Sequence, residues 1–315
     1  MARETGLTLE DALLRYEQHL ARRPLSDNSR KAFLGDARIF SRYVCGGGQQ
    51  GGSLQVARIT AEHIKGFLAE QARSRAAASP KSIERRLTSL KVFFRWLHET
   101  GQIPLDPADG VAYKSFVDPL PEYLSDAEVS AVIQAARALA HSDRLEMRPL
   151  TAILLVLDTG IKKGECLNLL GSDVALDDPD GATIWVRYDK RHLQFKERRL
   201  PISDECAQVV RAHMSRYDCG PQDRLFDCTG RNLEYIFNRK IAPQAGVPAL
   251  TFEMLRWTCA VRDFRAGKWS NEQLQARYGL SAVGWAEMLA KLERLTRAGG
   301  SGEEKTADDQ AGLPA

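Results

Sequence analysis

The sequence predicts a mainly α-helical protein with one small β-hairpin or sheet, an α+β fold divided into two domains. Three observations carry that expectation. Apolar residues recur at helical spacing behind capping side chains through most of the chain. Two short β-type runs, Thr183 to Tyr188 and Arg198 to Ile202, flank a basic turn from Asp189 to Lys196. Between Gly101 and Leu124, Pro104, Pro107, Pro119 and Pro121 break any periodicity and mark a linker. The expected boundaries are a helical domain over 1–112, a linker over 113–122, a second domain over 123–295 and a disordered tail over 296–315.

In the first domain, Thr8 with Asp11 caps a helix carrying Leu9, Leu13, Leu14, Tyr16 and Leu20, and Pro24 ends it. Ser26 and Asn28 open a second helix with Phe33, Ala37, Phe40 and Val44. The tract Gly46-Gly47-Gly48 to Gly51-Gly52 predicts a flexible loop. A third helix begins near Thr60. A fourth runs from about Pro80 to His98, with Ile83, Leu87, Leu90, Phe93, Phe94 and Leu97 on one stripe. In the second domain, Ser125 and Glu128 spell a capping box, and Met147 to Leu157 reads as a buried helix followed by Thr159-Gly160. After the hairpin, helices are expected over Asp204 to Tyr217, Arg231 to Gln244 and from Phe252 onward. From about Thr296 the tail has no apolar face, which predicts disorder.

With 43% hydrophobic and 27% charged residues, the chain reads as globular and soluble, not disordered. No apolar run approaches the ~20 residues of a membrane helix, so no membrane partner is expected. Met1 to Leu9 has no apolar signal segment, and a cytoplasmic location is expected. Cys45, Cys166, Cys206, Cys219, Cys228 and Cys259 form no CxxC pair, so isolated thiols are expected, with no metal and no cofactor. The net charge of +3 is nearly neutral, but its distribution is uneven. From Lys81 to Arg95, Lys81, Arg85, Arg86, Lys91 and Arg95 face the single acid Glu84. A charge run on a helix is ordinarily a solvated face; a locally basic, globally balanced chain also suits a nucleic-acid surface.

The ordered motifs resemble the tyrosine recombinases, the phage integrase family. Pro24-Leu25-Ser26, Phe33, Ser82 to Leu87 and Phe93 to Leu97 resemble that family's helical, SAM-like core-binding domain. Ile103 to Ala108 resembles the exit from it, and Leu120-Pro121 with Leu124 to Val129 the start of the catalytic domain. Asp158 to Glu165 stands where members carry Thr-Gly-Leu/Ile-Arg-x-Gly/Ser-Glu. Lys196 to Ile202 resembles the end of the family hairpin, and Leu255-Arg256 the Leu-Arg of His-x-Leu-Arg-His. The resemblance runs from about Thr8 to Leu295. It implies a core-binding domain followed by a recombinase-type catalytic fold, closing as a clamp on double-stranded DNA.

The resemblance implies strand cleavage by a tyrosine hydroxyl amid cations and proton donors, and this chain departs from that set at most positions. The first arginine position is Lys162, which keeps the charge but lacks the bidentate fork. The hairpin lysine is read as Lys190, with Lys196 as the alternative. The first histidine position is Glu253, whose carboxylate would repel a phosphate. Arg256 is retained, and Trp257 follows it in place of histidine. The second histidine position is Leu280, and the nucleophile position is Leu289. Tyr278 and Cys259 are candidate substitute nucleophiles near these motifs, and both read as core residues. No catalytic residue set is therefore expected intact.

The residues expected to contact DNA are Ser29, Arg30, Lys31, Lys81, Ser82, Arg85 and Arg86 in the first domain, and Lys162, Lys190, Lys196, Arg198 and Arg256 in the second. The expected function is DNA binding in a recombination or integration setting without strand cleavage: an accessory subunit, a site-occupying regulator or a mobile-element remnant. One alternative is an active recombinase with a relocated or trans-supplied nucleophile. Another is an interaction module whose C-terminal helix, with Trp285, Met288, Leu289, Leu292 and Leu295, docks on an active recombinase or a second copy.

Overall fold

Two compact units, dividing between residues 118 and 119, make up the computed structural model. It describes residues 6–46, 54–73, 78–113, 119–142 and 146–300, the last three of these without their side chains. The described residues are mainly helical with one three-stranded antiparallel sheet, the class the sequence predicts.

The first unit holds α1 (Leu9–Arg22), α2 (Asp27–Val44), α3 (Ala61–Arg73) and α4 (Pro80–Glu99). Thr8, Ser26 and Ser79 cap α1, α2 and α4 by accepting the backbone N–H three residues on. Pro80 at the first position of α4 removes an N–H that has no partner there in any helix. The apolar stripes meet in an aromatic core. Phe40 packs edge-on against Phe67 and Phe94 at 5.4 and 5.8 Å, and Tyr16 against Phe93 at 4.9 Å. Of the glycine tract, only Gly46 lies within the described residues.

The second unit opens with α5 (Asp126–Ala140), whose Ser125–Glu128 capping box is present in both directions. Helix α6 (Arg148–Thr159) is buried on almost every side, because α5, α8 (Asp204–Arg216) and α11 (Phe252–Ala266) all pack on it. Between them come α7 (Lys163–Asn168) and the strands β1 (Val174–Ala175), β2 (Thr183–Val186) and β3 (Arg198–Pro201). The sheet order is β1-β2-β3, and β2 pairs with β3 so that Ile184 and Leu200 face the core while Trp185 and Arg199 face outward. The basic turn between them winds into a 3₁₀ helix over Arg191–Lys196. Then follow α9 (Gly230–Ile236), a π turn over Phe237–Ile241, α10 (Ala242–Ala245), and after α11 the helices α12 (Asn271–Arg277) and α13 (Ala282–Gly300).

Helix α13 corrects the expected start of the tail. It continues through residues 296–300, because Leu295 is still core and the Thr296 hydroxyl donates to the Leu292 carbonyl at 3.0 Å. Residues 301–315 lie outside the described residues. Among the described residues, no helix is long and apolar enough to cross a membrane, and no cluster of three or more His, Cys, Asp or Glu side chains could hold a metal ion.

Gly160, at the C-cap of α6, has φ +63°, and a Cβ there would lie 2.3 Å from Cε1 of the buried Tyr278. Gly160→Ala therefore meets both left-handed strain and a ring that cannot retreat. The expected loss is about 2 to 4 kcal/mol, read from the midpoint of urea unfolding. A loss under about 0.5 kcal/mol would show that the ring has room to move.

Candidate functional site

The C-terminal end of α6 is where the charged residues of the second unit converge. Gly160 turns the chain so that Lys162 precedes α7, and the Glu165 carboxylate reaches back to accept the Lys162 backbone N–H at 2.9 Å. Glu165 is buried and takes two further donors. Arg198 approaches it from β3 with Nη2 at 2.9 Å from Oε2 and Nη1 at 3.3 Å from Oε1, and the Tyr188 hydroxyl donates to Oε1. Burial pushes the Glu165 carboxyl upward, but these donors and the Arg198 charge outweigh it and hold the pKa at about 2. Burial, followed by the Glu165 hydrogen bond, pushes the Tyr188 phenol up to about 12.

Arg198 is also tied to backbone. Its Nε donates to the Arg277 carbonyl at 2.6 Å and its Nη1 to the Lys196 carbonyl at 3.0 Å. That proximity requires a glycine at 279: φ is +56°, and a Cβ would sit 2.6 Å from Arg198 Nη1. The Gly279 carbonyl in turn accepts from Lys162 Nζ at 3.4 Å. From α11, Arg256 donates Nε to the Gly160 carbonyl at 3.0 Å, with its guanidinium carbon 5.9 Å from the Tyr278 ring centre.

Lys162, Lys196, Arg198 and Arg256 thus surround the Gly160 and Gly279 turns. The Lys162 ammonium is pushed below its ordinary pKa, first by burial and then by Arg256, Arg198 and Lys196, against the pull of Glu165. Arg256 is nine-tenths buried, and its Nη2 has no hydrogen-bond partner among the described residues. An unpaired buried guanidinium nitrogen beside crowded cations is a site that an anion would satisfy. Lys190 sits exposed at the head of the 3₁₀ turn, whereas Lys196 is among the charges acting on Lys162.

The positions that the sequence resemblance assigns to proton donors and a nucleophile lie differently. Glu253 is exposed on α11 and accepts the Trp257 indole N–H at 2.8 Å. Leu280 and Leu289 are half-buried against the apolar cluster around Trp257, Tyr278 and Trp285. Tyr278 is fully buried and donates its hydroxyl to Asp263 at 2.6 Å; burial raises its pKa well above the ordinary phenol value. Burial likewise pushes the Cys259 thiol up to about 12. Both are core residues. The C-terminal helix is packed as well: Trp285, Met288, Leu292 and Leu295 of α13 are buried in the same cluster as Trp257 and Val261 of α11. These apolar residues of α13 are therefore covered by its own chain.

In the first unit, Ser29 and Ser82 occupy the first turns of α2 and α4, their hydroxyls paired with the capping Ser26 and Ser79 at 2.8 and 2.9 Å. Arg30 pairs with Asp27, and Lys31 and Lys81 are exposed. Arg85 and Arg86 both reach Asp36, a carboxylate of α2 that is only 2% exposed. Sequence reading missed Asp36, Glu165 as a charge anchor, and Asp263. Glu165 had a signal, since it lies three residues after Lys162, but an acid in a helical pattern gives no sign of which distant arginine it will meet.

The family model for the phage integrase N-terminal SAM-like domain matches residues 13–101. A tyrosine recombinase of Thermosipho africanus (strain TCF52B) is 26% identical over 202 residues, which cover 63% of this chain and 64% of that protein. The tyrosine recombinase XerC of Mycobacterium sp. (strain JLS) is 25% identical over 273 residues, covering 82% of this chain and 87% of the relative. Over most of its length the chain is similar to tyrosine recombinases. Its fold agrees: a lambda integrase dimer bound to a COC' core site matches 90% of this chain and 77% of that one, with a TM-score of 0.68 at 18% identity. Within this chain, the Lys162–Arg256 cluster lies between the Thr-Gly turn of α6 and the Leu-Arg pair of α11, two of the motifs that carry the resemblance in the second unit.

Proposed function

We propose that this chain binds double-stranded DNA, holds a backbone phosphate at the Lys162–Lys196–Arg256 cluster, and does not cleave it. The observation that carries the reading is the asymmetry of the site. Its cationic half is assembled, with Arg256 Nη2 buried and unpaired. The positions that the resemblance assigns to proton donors and the nucleophile hold Glu253, Leu280 and Leu289 instead. An anion would gain charge-assisted hydrogen bonds there, but no hydroxyl stands ready to attack phosphorus.

Not every candidate cation is equally suited. Arg198 is committed to Glu165 and two carbonyls, and Arg86 is mostly buried, so phosphate contacts fall to Lys162, Lys190, Lys196 and Arg256 in the second unit and to Arg30, Lys31, Lys81 and Arg85 in the first. The lambda integrase of the solved structure is a dimer on DNA. By analogy this chain acts beside a second copy or an active recombinase, as an accessory or site-occupying subunit.

The test is retention of sheared genomic duplex DNA by the purified full chain, eluted with rising salt and then with denaturant. With several phosphate contacts, affinity should fall by about 10³-fold or more between 50 and 200 mM salt. No DNA should remain attached after denaturation. A denaturant-resistant adduct would establish a cleaving enzyme, and failure to retain DNA at any salt would sink the DNA-binding reading.

A further inference from the structure

In the first unit, Asp36 of α2 and Ser89 of α4 are both buried and bond to each other: Ser89 Oγ donates to Asp36 Oδ2 at 2.7 Å. The same Oδ2 accepts Arg85 Nη1. Arg86 Nε lies 3.8 Å from Oδ1, an ion-pair distance too long for a hydrogen bond, and Arg86 Nη1 donates to Gln71 of α3. The two neighbouring arginines are treated differently. The Arg86 side chain is 17% exposed and anchored on Gln71 through Nη1, whereas that of Arg85 is 49% exposed and anchored on Asp36 through Nη1.

Burying a carboxylate is costly, and an apolar pair would join α2 to α4 at least as well. What an apolar pair cannot do is grip one nitrogen of a half-exposed guanidinium and thereby fix the plane of the rest. An arginine held in this way can offer its Nε–Nη2 edge as two parallel donors without first losing the rotamer freedom of a loose side chain. Parallel donors of that spacing match O6 and N7 of guanine in the major groove.

We propose that Asp36 is a positioning residue that aims Arg85 at a guanine of the bound duplex, so that part of the base preference of this chain is set by a carboxylate that never touches DNA. The inference rests on the DNA-binding reading above. It assigns specificity to Arg85 and leaves Arg86 as a strut.

A duplex selected from a random pool by the wild-type chain, and its single base-pair variants, provide the probe. Affinities are measured for wild type, Arg85→Ala, Asp36→Asn and the double variant, with melting curves as the check on folding. Arg85→Ala should lose roughly tenfold to hundredfold of discrimination at one G·C pair. Asp36→Asn should lose discrimination at that same pair while the salt slope stays constant, and the double variant should lose no more than either alone. A carboxylate with a merely structural role would lower melting temperature and weaken all duplexes alike. The proposal falls if folded Asp36→Asn discriminates as wild type does, or if the two losses add. Should Asp36→Asn fail to fold, Arg85→Lys decides instead: it keeps the charge on both sides but lacks the fork, and undiminished discrimination by it overturns the proposal. A wild-type chain that binds no duplex overturns the DNA-binding reading, and this inference with it; binding without the Asp36 effect overturns this inference alone.

Discussion

Glu165→Ala is expected to destabilise the second unit by about 3 to 5 kcal/mol, as measured by urea unfolding at neutral pH. The substitution leaves the Arg198 guanidinium, 8% exposed, without its counter-charge, together with a Tyr188 hydroxyl and a Lys162 N–H that lose their acceptor. Arg198 cannot swing to solvent, because Nε and Nη1 hold the Arg277 and Lys196 carbonyls. Glu165→Gln should cost less, since the amide oxygen still accepts hydrogen bonds. Replacing both partners with leucine-sized residues should recover much of the loss, because the pair is worth far less than the penalty for orphaning one member. A Glu165→Ala loss below about 1 kcal/mol would mean that water reaches Arg198 and that the cluster is not a closed unit.

The same carboxylate sets a pH dependence. Its folded pKa, about 2, lies below its ordinary value of 4.5, so the unfolded chain binds the proton more readily. The contribution is fully present above pH 4.5 and is lost as pH falls toward 2. Over the whole interval it amounts to about 3 kcal/mol, and with the side chain only 4% exposed, solvent screening does not discount it. Glu165→Ala should show an acid-unfolding profile flatter by that amount. Equal slopes in wild type and variant would assign the acid sensitivity to other groups.

Much of this architecture was readable in advance because it rests on local rules. Thr8, Ser26 and Ser125 announce helix starts through their own side chains, and the stripe on α4 follows from spacing alone. The hairpin was readable for the same reason. What stayed hidden depends on pairs distant in sequence. Asp36 and Arg85 are separated by 49 residues, and Glu165 and Arg198 by 33, so nothing local distinguishes an arginine held inside from one left at the surface. That is why Arg198 and Arg86 read as phosphate contacts in the sequence and emerge as struts in the fold. The end of α13 was missed for a related reason: Leu295 anchors the helix through tertiary packing, and residues 296–300 are carried along by the helical ladder.

On the proposed reading, one chain carrying Lys162→Arg, Glu253→His, Leu280→His and Leu289→Tyr should form a covalent adduct with retained duplex that survives denaturant, whereas wild type and Leu289→Tyr alone should not. The single substitution supplies a nucleophile but leaves the other departures in place. A positioned acid–base group contributes about 10²- to 10⁴-fold, and one aimed donor to the developing charge about 10²- to 10³-fold. Without them, a lone tyrosine falls many orders of magnitude short of a detectable rate. The fold should tolerate the set: Glu253 is exposed, the Lys162 side chain is 35% exposed, and Leu280 and Leu289 lie at the edge of their cluster, outside its buried centre. Arg256 already holds the Gly160 carbonyl with Nε and keeps Nη2 for an oxygen. If the rebuilt chain folds and retains DNA yet yields no adduct, the loss of chemistry extends beyond these four positions, with the Lys196 turn the next element to restore. An adduct formed by wild type would instead place a nucleophile elsewhere in the assembly and overturn the non-cleaving reading outright.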